Sequence, residues 1–506
     1  MRQNPLHLEA MDMYKMTESQ LIMPDDFFLP FGGKLNKENR WVKLAALIPW
    51  WKFEEDYAET MKPSSRGQRA FSVRIALGAL YIQARKNLTD RETVEEITEN
   101  PYLQYFLGLP EFQEEAPFDS SMMTHFRKRL SADIINQVNE AIVMKEVADE
   151  SQDNQDDDPH DEEEPPEGGS SSNDSTQPNV QPPANKGKLL LDATCTPADI
   201  AYPTDLGLLN DAREKLEHII DVLHAPHRGK EKKPRTYRQR ARKDYLSIAK
   251  QRKPRAKKIR KAVRKQLGYV ARNLKTIARL KEQSSLSLLT RQEYKQLLVI
   301  SELYRQQHEM HHKRARRIDD RIVSISQPHV RPIVRGKASS GTEFGAKVSI
   351  SLVEGYALTE KLAWDNYNEG TTLQASAERY KKRFGYYPEA ILADQIYCNR
   401  KNRAYCKAKG IRLSGPALGR PAKEKAHIQR QLAKRDAAER NAIEGKFGEG
   451  KRHYGMGLIS TRLRQTSETV IAMQLMIMNL ERMLRLLFYH FFKRYSGSLA
   501  KVIWAV

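Results

Sequence analysis

Three carboxylates stand out in this chain for where they fall. Asp192 follows the apolar run Leu189-Leu190-Leu191, Asp394 follows Ala390-Ile391-Leu392-Ala393, and Glu444 lies in a predicted helix. The two aspartates stand at the C-terminal ends of predicted strands, the edge of an α/β sheet where ligands usually bind. Arg440 and Lys451 share Glu444's side of its helix at i−4 and i+7, whereas Glu449 lies nearly opposite. Three carboxylates are what a pair of Mg2+ ions needs. Hard cations take oxygen ligands and keep water and phosphate oxygens in their remaining positions. Two such ions about 3.5–4 Å apart stabilise both the attacking and the leaving oxygen of an in-line displacement. Arg440 and Lys451 could hold the phosphate beside them. Acids at strand ends are common, so spacing alone leaves the metal reading open.

The elements that must position these acids alternate in type. From Lys188 the pattern is that of a strand, with Pro197 to Tyr202 as its expected hairpin partner. Val348, Ile350 and Leu352 alternate with Ser349 and Ser351, and a second strand follows near Tyr356 to Trp364. Leu373 to Phe384 reads as an amphipathic helix, Ala390 to Ala393 as a buried strand, and Arg435 to Lys446 as a further helix. Gly445, Gly448 and Gly450 weaken helix propensity past Phe447. Val470 to Phe492 reads as a long core helix. This order is an α/β layout.

Residues 1–147 read as all-helical. Ile75, Ala76, Ala79, Leu80 and Ile82 recur at helical spacing, and Thr89 with Glu92 spells a capping box for the next helix. Pro101 ends or restarts that helix. Such a pair suits a helix-turn-helix DNA reader, or a plain helical hairpin. Residues 148–187 read as a disordered linker: Asp149 to Asp174 holds twelve Asp and Glu and no Lys or Arg. Its carboxylates are solvated, and it could compete with DNA for basic surface elsewhere.

Residues 206–326 form a basic helical insertion between the first two candidate acids. From Arg228 to Lys281 there are 23 Lys and Arg against two acids, an excess equal to the net charge of +21 of the whole chain. Salt-bridged helix faces alternate sign; this stretch does not. It reads as a phosphate-binding arm, with Lys257, Lys258, Arg260, Lys261 and Arg264 at its centre. Arg403, on the basic helix after Asp394, is a further candidate DNA contact.

At 506 residues the chain calls for about three domains. The expected division is 1–147 helical, 148–187 linker, 188–205 with 327–495 catalytic, 206–326 insertion and 496–506 tail. A pI near 9.6 points to a polyanionic partner. No signal peptide is visible, and the apolar stretch Thr469 to Leu480 is too short to span a bilayer. Three scattered cysteines, Cys195, Cys398 and Cys406, make neither a disulfide framework nor a zinc ribbon. The expectation is a cytoplasmic, nucleoid-associated protein without membrane contact.

Three blocks together resemble the DDE insertion-sequence transposases, most closely those of the insertion-sequence-five family. The first is Leu190-Leu191-Asp192-Ala193-Thr194 with Pro203-Thr204-Asp205 and Leu208-Leu209-Asn210. The second is Ala393-Asp394-Gln395-Ile396-Tyr397 with Asn402-Arg403. The third is Arg440-x3-Glu444-x6-Lys451. Leu88 to Glu92 and Phe118 to Arg127 resemble that family's N-terminal domain. The chain departs from the pattern in two ways. Ala437 stands where the family's signature has Tyr, and the insertion lies in the first gap: 201 residues separate Asp192 from Asp394, and 49 separate Asp394 from Glu444. The resemblance implies a ribonuclease H-like catalytic core and catalysis by Asp192, Asp394 and Glu444 on two Mg2+ ions, with Mn2+ as a substitute. It further implies cleavage at terminal inverted repeats, strand transfer into target DNA, and action as a homodimer or higher multimer.

Two rival readings carry their own residues. His308-Glu309-Met310-His311-His312 spells the H-E-x-x-H zinc protease pattern, but Lys313, Arg314, Arg316 and Arg317 follow, and cations beside Zn2+ weaken its binding. A non-catalytic repressor derived from a transposase would keep the basic insertion and the N-terminal helices without needing the three acids. Trp364, the Tyr386-Tyr387 pair, Met473, Met476 and Met478 read as core or sheet-edge packing.

Overall fold

The computed structural model describes residues 23–30, 32–61, 70–153, 184–334, 341–415 and 423–503. The acidic segment read as a linker lies outside the described residues from 154 to 183.

Alternating Val348, Ile350 and Leu352 drive strand formation in the middle of the chain, and the strand they make is the spine of a six-stranded mixed sheet. β1 (Lys188–Pro197) pairs antiparallel with β3 (Thr342–Val353), in register from Leu190↔Leu352 to Pro197↔Gly345. β2 (Arg331–Val334) and β4 (Tyr356–Ala363) share the other edge of β3. On its far side β1 pairs in parallel with β5 (Ala390–Ala393), which pairs in parallel with β6 (Arg412–Leu413). The sequence expectation of a hairpin from Pro197 to Tyr202 fails because the chain does not turn back after Pro197 but carries on along β3, with the Ala198 amide donating to the Phe344 carbonyl at 2.9 Å. Those residues run instead beside Ile459, whose amide donates to the Pro197 carbonyl at 2.8 Å.

Strand alternation gives each face of the sheet its own cluster. Leu189, Leu191, Ile391 and Ala393 bury on one face, under α12 (Leu373–Phe384), with Tyr380 and Cys406. Leu190, Leu392, Val348 and Ile350 bury on the other, against α14 (Lys423–His453) and α15 (Arg464–Ile503). Met473, Met476 and Met478 are fully inside this second cluster, and Trp364 is buried beside them. The final helix starts at Arg464 rather than Val470 and continues to Ile503, through most of the segment read as a tail.

The N-terminal helices join that same cluster: α1 (Arg40–Leu47), α2 (Glu54–Glu59), α3 (Val73–Lys86), α4 (Asp90–Glu99), α5 (Pro101–Phe106), α6 (Met122–Arg129) and α7 (Ala132–Asp153). α4 starts where the sequence places it: the Thr89 hydroxyl accepts from the Glu92 amide and the Glu92 carboxylate accepts from the Thr89 amide. Pro101 opens α5 from its first turn, where its missing N–H is not needed. α15 packs on α3, α7 and β4, so the C-terminal helix binds the helical N-terminal part to the sheet.

The basic insertion is helical as expected. It comprises α8 (Asp205–His224), α9 (Arg238–Ala249), α10 (Ala256–Gln283) and α11 (Arg291–Lys313), and buries its own apolar cluster around Leu216, Ile219, Val270 and Leu303. Among the described residues no helix is long and apolar enough to cross a membrane.

Candidate active site

Side-chain alternation decides which face the two aspartates reach. Parallel pairing of β1 with β5 ends at Leu191↔Ala393, so Asp192 and Asp394 are the next step on adjacent strands. They keep the parity of Leu190 and Leu392, the residues that bury toward α14. Asp192 is not at the end of its strand, as the apolar run suggested; β1 continues to Pro197 along β3 after β5 has stopped. Asp394 does end β5, and its carboxylate accepts from the Gln395 amide at 2.7 Å; Asp192 likewise accepts from the Ala193 amide at 2.8 Å.

α14 brings the third acid to the same face. Ile443 and Phe447, one turn apart, bury against the sheet, worth about 2 kcal/mol each. Two ion pairs fix the helix along its axis: Glu439 with Lys188 of β1 at 2.7 Å, and Asp436 with Arg412 of β6 at 2.6 Å. The three glycines do not stop the helix. It runs through Gly450, where an added Cβ would meet the Met456 sulfur at 2.5 Å and the Met478 sulfur at 3.1 Å. Close packing there outweighs intrinsic propensity.

Asp192, Asp394, Glu444, Arg440 and Lys451 line one cavity of about 920 Å3. Glu444 is 55% exposed and turned to Arg440, with the guanidinium at 3.1 Å. Glu449 points away, to Arg485 at 2.9 Å. Burial pushes the Asp192 carboxyl up to about 6; Glu369 and Asp394 add repulsion, while the Ala193 amide and Arg440 oppose it. Among the described residues no three His, Cys, Asp or Glu side chains stand close enough to hold a metal ion as they lie. The donor chemistry of the cavity nonetheless suits a hard cation: carboxylate oxygens on two neighbouring strands repel one another, and a third carboxylate sits on the facing helix.

Sequence reasoning missed a pair in the same cavity. Lys347 of β3, 10% exposed, binds Glu369 at 2.8 Å and donates to the Tyr367 carbonyl at 2.9 Å. Glu369 opens a single 3-10 turn, Glu369–Thr371, between β4 and α12, a stretch with no periodicity to mark it. Burial, with Glu369 adding to it, raises the hydroxyls of Tyr367 and Tyr397 above the usual tyrosine range.

The other candidates lie apart from this cavity. Arg403, on α13 (Arg400–Ala408), donates to the Cys398 carbonyl at 3.1 Å and is not on the cavity wall. Lys257, Lys258, Arg260, Lys261 and Arg264 are exposed on α10 of the insertion. The zinc pattern is spoken for by other contacts: Glu309 sits between Arg305 at 3.0 Å and Lys313 at 2.7 Å, and His308 packs on Tyr304.

Residues 391–481 match the family model described as Transposase DDE domain, and residues 30–129 match one described as Transposase domain. The first span holds Asp394, Arg440, Glu444 and Lys451; Asp192 precedes it. An uncharacterized protein, ORF8 in the nfe locus of Rhizobium meliloti, is 30% identical over 195 residues, which is 38% of this chain and 77% of that protein. No solved structure matches significantly.

Proposed function

The chain belongs to the DDE-type insertion-sequence transposases, and from that premise we propose that it cuts DNA at the terminal inverted repeats of its element and joins the freed 3′-hydroxyl to target DNA. The observation that carries this reading is one cavity that gathers Asp192, Asp394 and Glu444 with two cations, Arg440 and Lys451, from three separate stretches of sequence.

Asp192 and Asp394 would hold divalent ions from the sheet, Mg2+ or, as a substitute, Mn2+. Glu444 would complete the set by leaving Arg440 and swinging inward, which its exposure allows. Bound ions supply Lewis acidity at the attacking and leaving oxygens of an in-line displacement. Arg440, released by Glu444, and Lys451 would then bind the scissile phosphate. Partial burial of Asp192 lowers the effective dielectric around its carboxylate and strengthens the charge interactions it makes. Antiparallel β3–β1 followed by parallel β1–β5–β6, with the first acid central and the second on the next strand, supports a ribonuclease H-like core over 188–205 and 327–495. We assign the helices of 1–147 to DNA recognition, the insertion of 206–326 to the DNA backbone, and the working form to a homodimer or higher multimer that holds two element ends, in the cytoplasm at the nucleoid.

The test is Asp394→Asn. The variant keeps binding to terminal-repeat DNA and loses Mg2+-dependent cleavage by at least about 100-fold, the scale on which single catalytic groups act. Undiminished cleavage would refute the assignment.

A further inference from the structure

The insertion carries a groove with more in it than charge. It lies between α9 and α10 and encloses about 440 Å3. On α10, Lys261, Arg264, Gly268 and Arg272 recur every three or four residues along the exposed face, opposite Val263, Leu267 and Val270, which bury in the insertion's own cluster. The acid in the groove, Asp244, is satisfied by Lys265 at 2.7 Å and by the Tyr269 hydroxyl at 3.0 Å. Lys261 and Arg264 form no ion pair with any described acid.

Two features are not explained by folding. Gly268 sits in the interior of a 28-residue helix, where glycine is unfavourable, yet an added Cβ would meet nothing within 4 Å. The protein's own packing does not require glycine at that point. Tyr237 is held at φ 54°, in the left-handed region that an aromatic residue enters only when its surroundings impose it. The residue is 43% exposed at the groove's rim, with the Arg272 guanidinium over its ring at 4.7 Å.

We propose that this groove binds unpaired DNA: Lys261 and Arg264 take successive phosphates, Gly268 lets the sugar-phosphate chain approach the helix, and a base stacks on Tyr237. Duplex phosphates would need only the cations; a partly exposed aromatic ring and a bare helix floor are what a splayed strand uses. The inference rests on the reading of this chain as a DNA-processing protein, and it locates where a strand is held once cutting has freed it.

The experiment uses the full chain in EDTA, so that no cleavage intervenes, with a labelled 20-nucleotide single strand and the blunt duplex of the same sequence, read by fluorescence anisotropy. Tyr237→Ala weakens single-strand binding about 5- to 50-fold, the range of one stacked base, and leaves duplex binding within about twofold. Gly268→Leu, at an exposed position, weakens the single strand similarly while its thermal midpoint is unchanged or higher. Lys261→Ala lowers the salt dependence of single-strand binding by somewhat less than one ion. Single-strand affinity unchanged in both Tyr237→Ala and Gly268→Leu overturns the proposal, as does an equal loss on single strand and duplex. The two readings fail separately: binding in EDTA reads the groove alone, whereas Mg2+-dependent cleavage reads the cavity, so Tyr237→Ala can leave single-strand affinity unchanged while the cavity still cleaves, and the reverse.

Discussion

Glu481 should behave as the bolt between the N-terminal helices and the sheet. Its carboxylate, 4% exposed on α15, accepts from Arg85 at 2.5 Å, from Arg40 at 2.8 Å and from the Tyr81 hydroxyl at 3.2 Å. Arg40 is on α1, and Tyr81 and Arg85 are on α3. Replacing Glu481 by Leu keeps bulk and removes every acceptor. The Tyr81 hydroxyl, fully buried, then lacks a partner, a loss of about 1–2 kcal/mol. The arginines are 41% and 28% exposed and can recover water, so each lost contact costs about 1 kcal/mol rather than the 3–5 of a wholly buried pair. The expected total is about 3 kcal/mol. Urea unfolding followed by circular dichroism measures it, and a double-mutant cycle with Arg85→Ala should return a coupling of about 1 kcal/mol. A total below about 1 kcal/mol, or additivity within about 0.3 kcal/mol, would show that apolar packing alone holds the two parts together.

Two further outcomes follow from the sheet and its flank. Gly345→Ala places a Cβ 2.1 Å from the Thr196 carbonyl oxygen and 2.8 Å from the Pro197 Cα, backbone atoms that cannot step aside. It should destabilise by more than about 3 kcal/mol, and a thermal midpoint equal to the parent's would contradict the β1–β3 register. His329 stacks edge-on against Trp364 at 4.3 Å, and burial, with Arg464 adding to it, pushes its imidazole down to about 4. Its neutral form is therefore the folded form. The stability this contributes is complete above the unfolded value near 6.5 and drains away as pH falls toward 4. Discounted for partial exposure, the loss is about 1.5 kcal/mol. His329→Phe should therefore lose that much less stability than the parent between pH 7.5 and 4.5 in urea titrations; parallel losses would reject the assignment.

Local signals were legible in the sequence wherever one residue's chemistry decides the outcome. Thr89 and Glu92 start a helix because two side chains satisfy two amides, and nothing distant changes that. The alternation over Val348 to Leu352 and the charge of α10 were equally plain. What escaped depends on neighbours remote in sequence. Asp192 appeared to end a strand because the apolar run stops there; the strand goes on because β3 continues beside it, which no window around Asp192 contains. Gly445, Gly448 and Gly450 argued for a helix end, yet Gly450 is what lets α14 close on Met456 and Met478. Glu369 had no signal, since its place in the cavity comes from Lys347 on another strand.

The site's dependence on register is stronger than its dependence on any one contact. Because side chains alternate with a period of two, sliding β5 along β1 by one residue would send Asp394 to the face under α12, away from Glu444. The same slide would turn Ile391 and Ala393 out of one cluster and Leu392 out of the other, exposing or misplacing three fully or nearly fully buried side chains. At about 1–2 kcal/mol for each, that penalty is comparable to much of a domain's net stability. The pairing that puts the two aspartates side by side is thus enforced by apolar residues that do not line the cavity. It follows that polar substitutions at Leu191 or Ile391, on the face of the sheet away from the cavity, should abolish the alignment of the acids as surely as removing one of them.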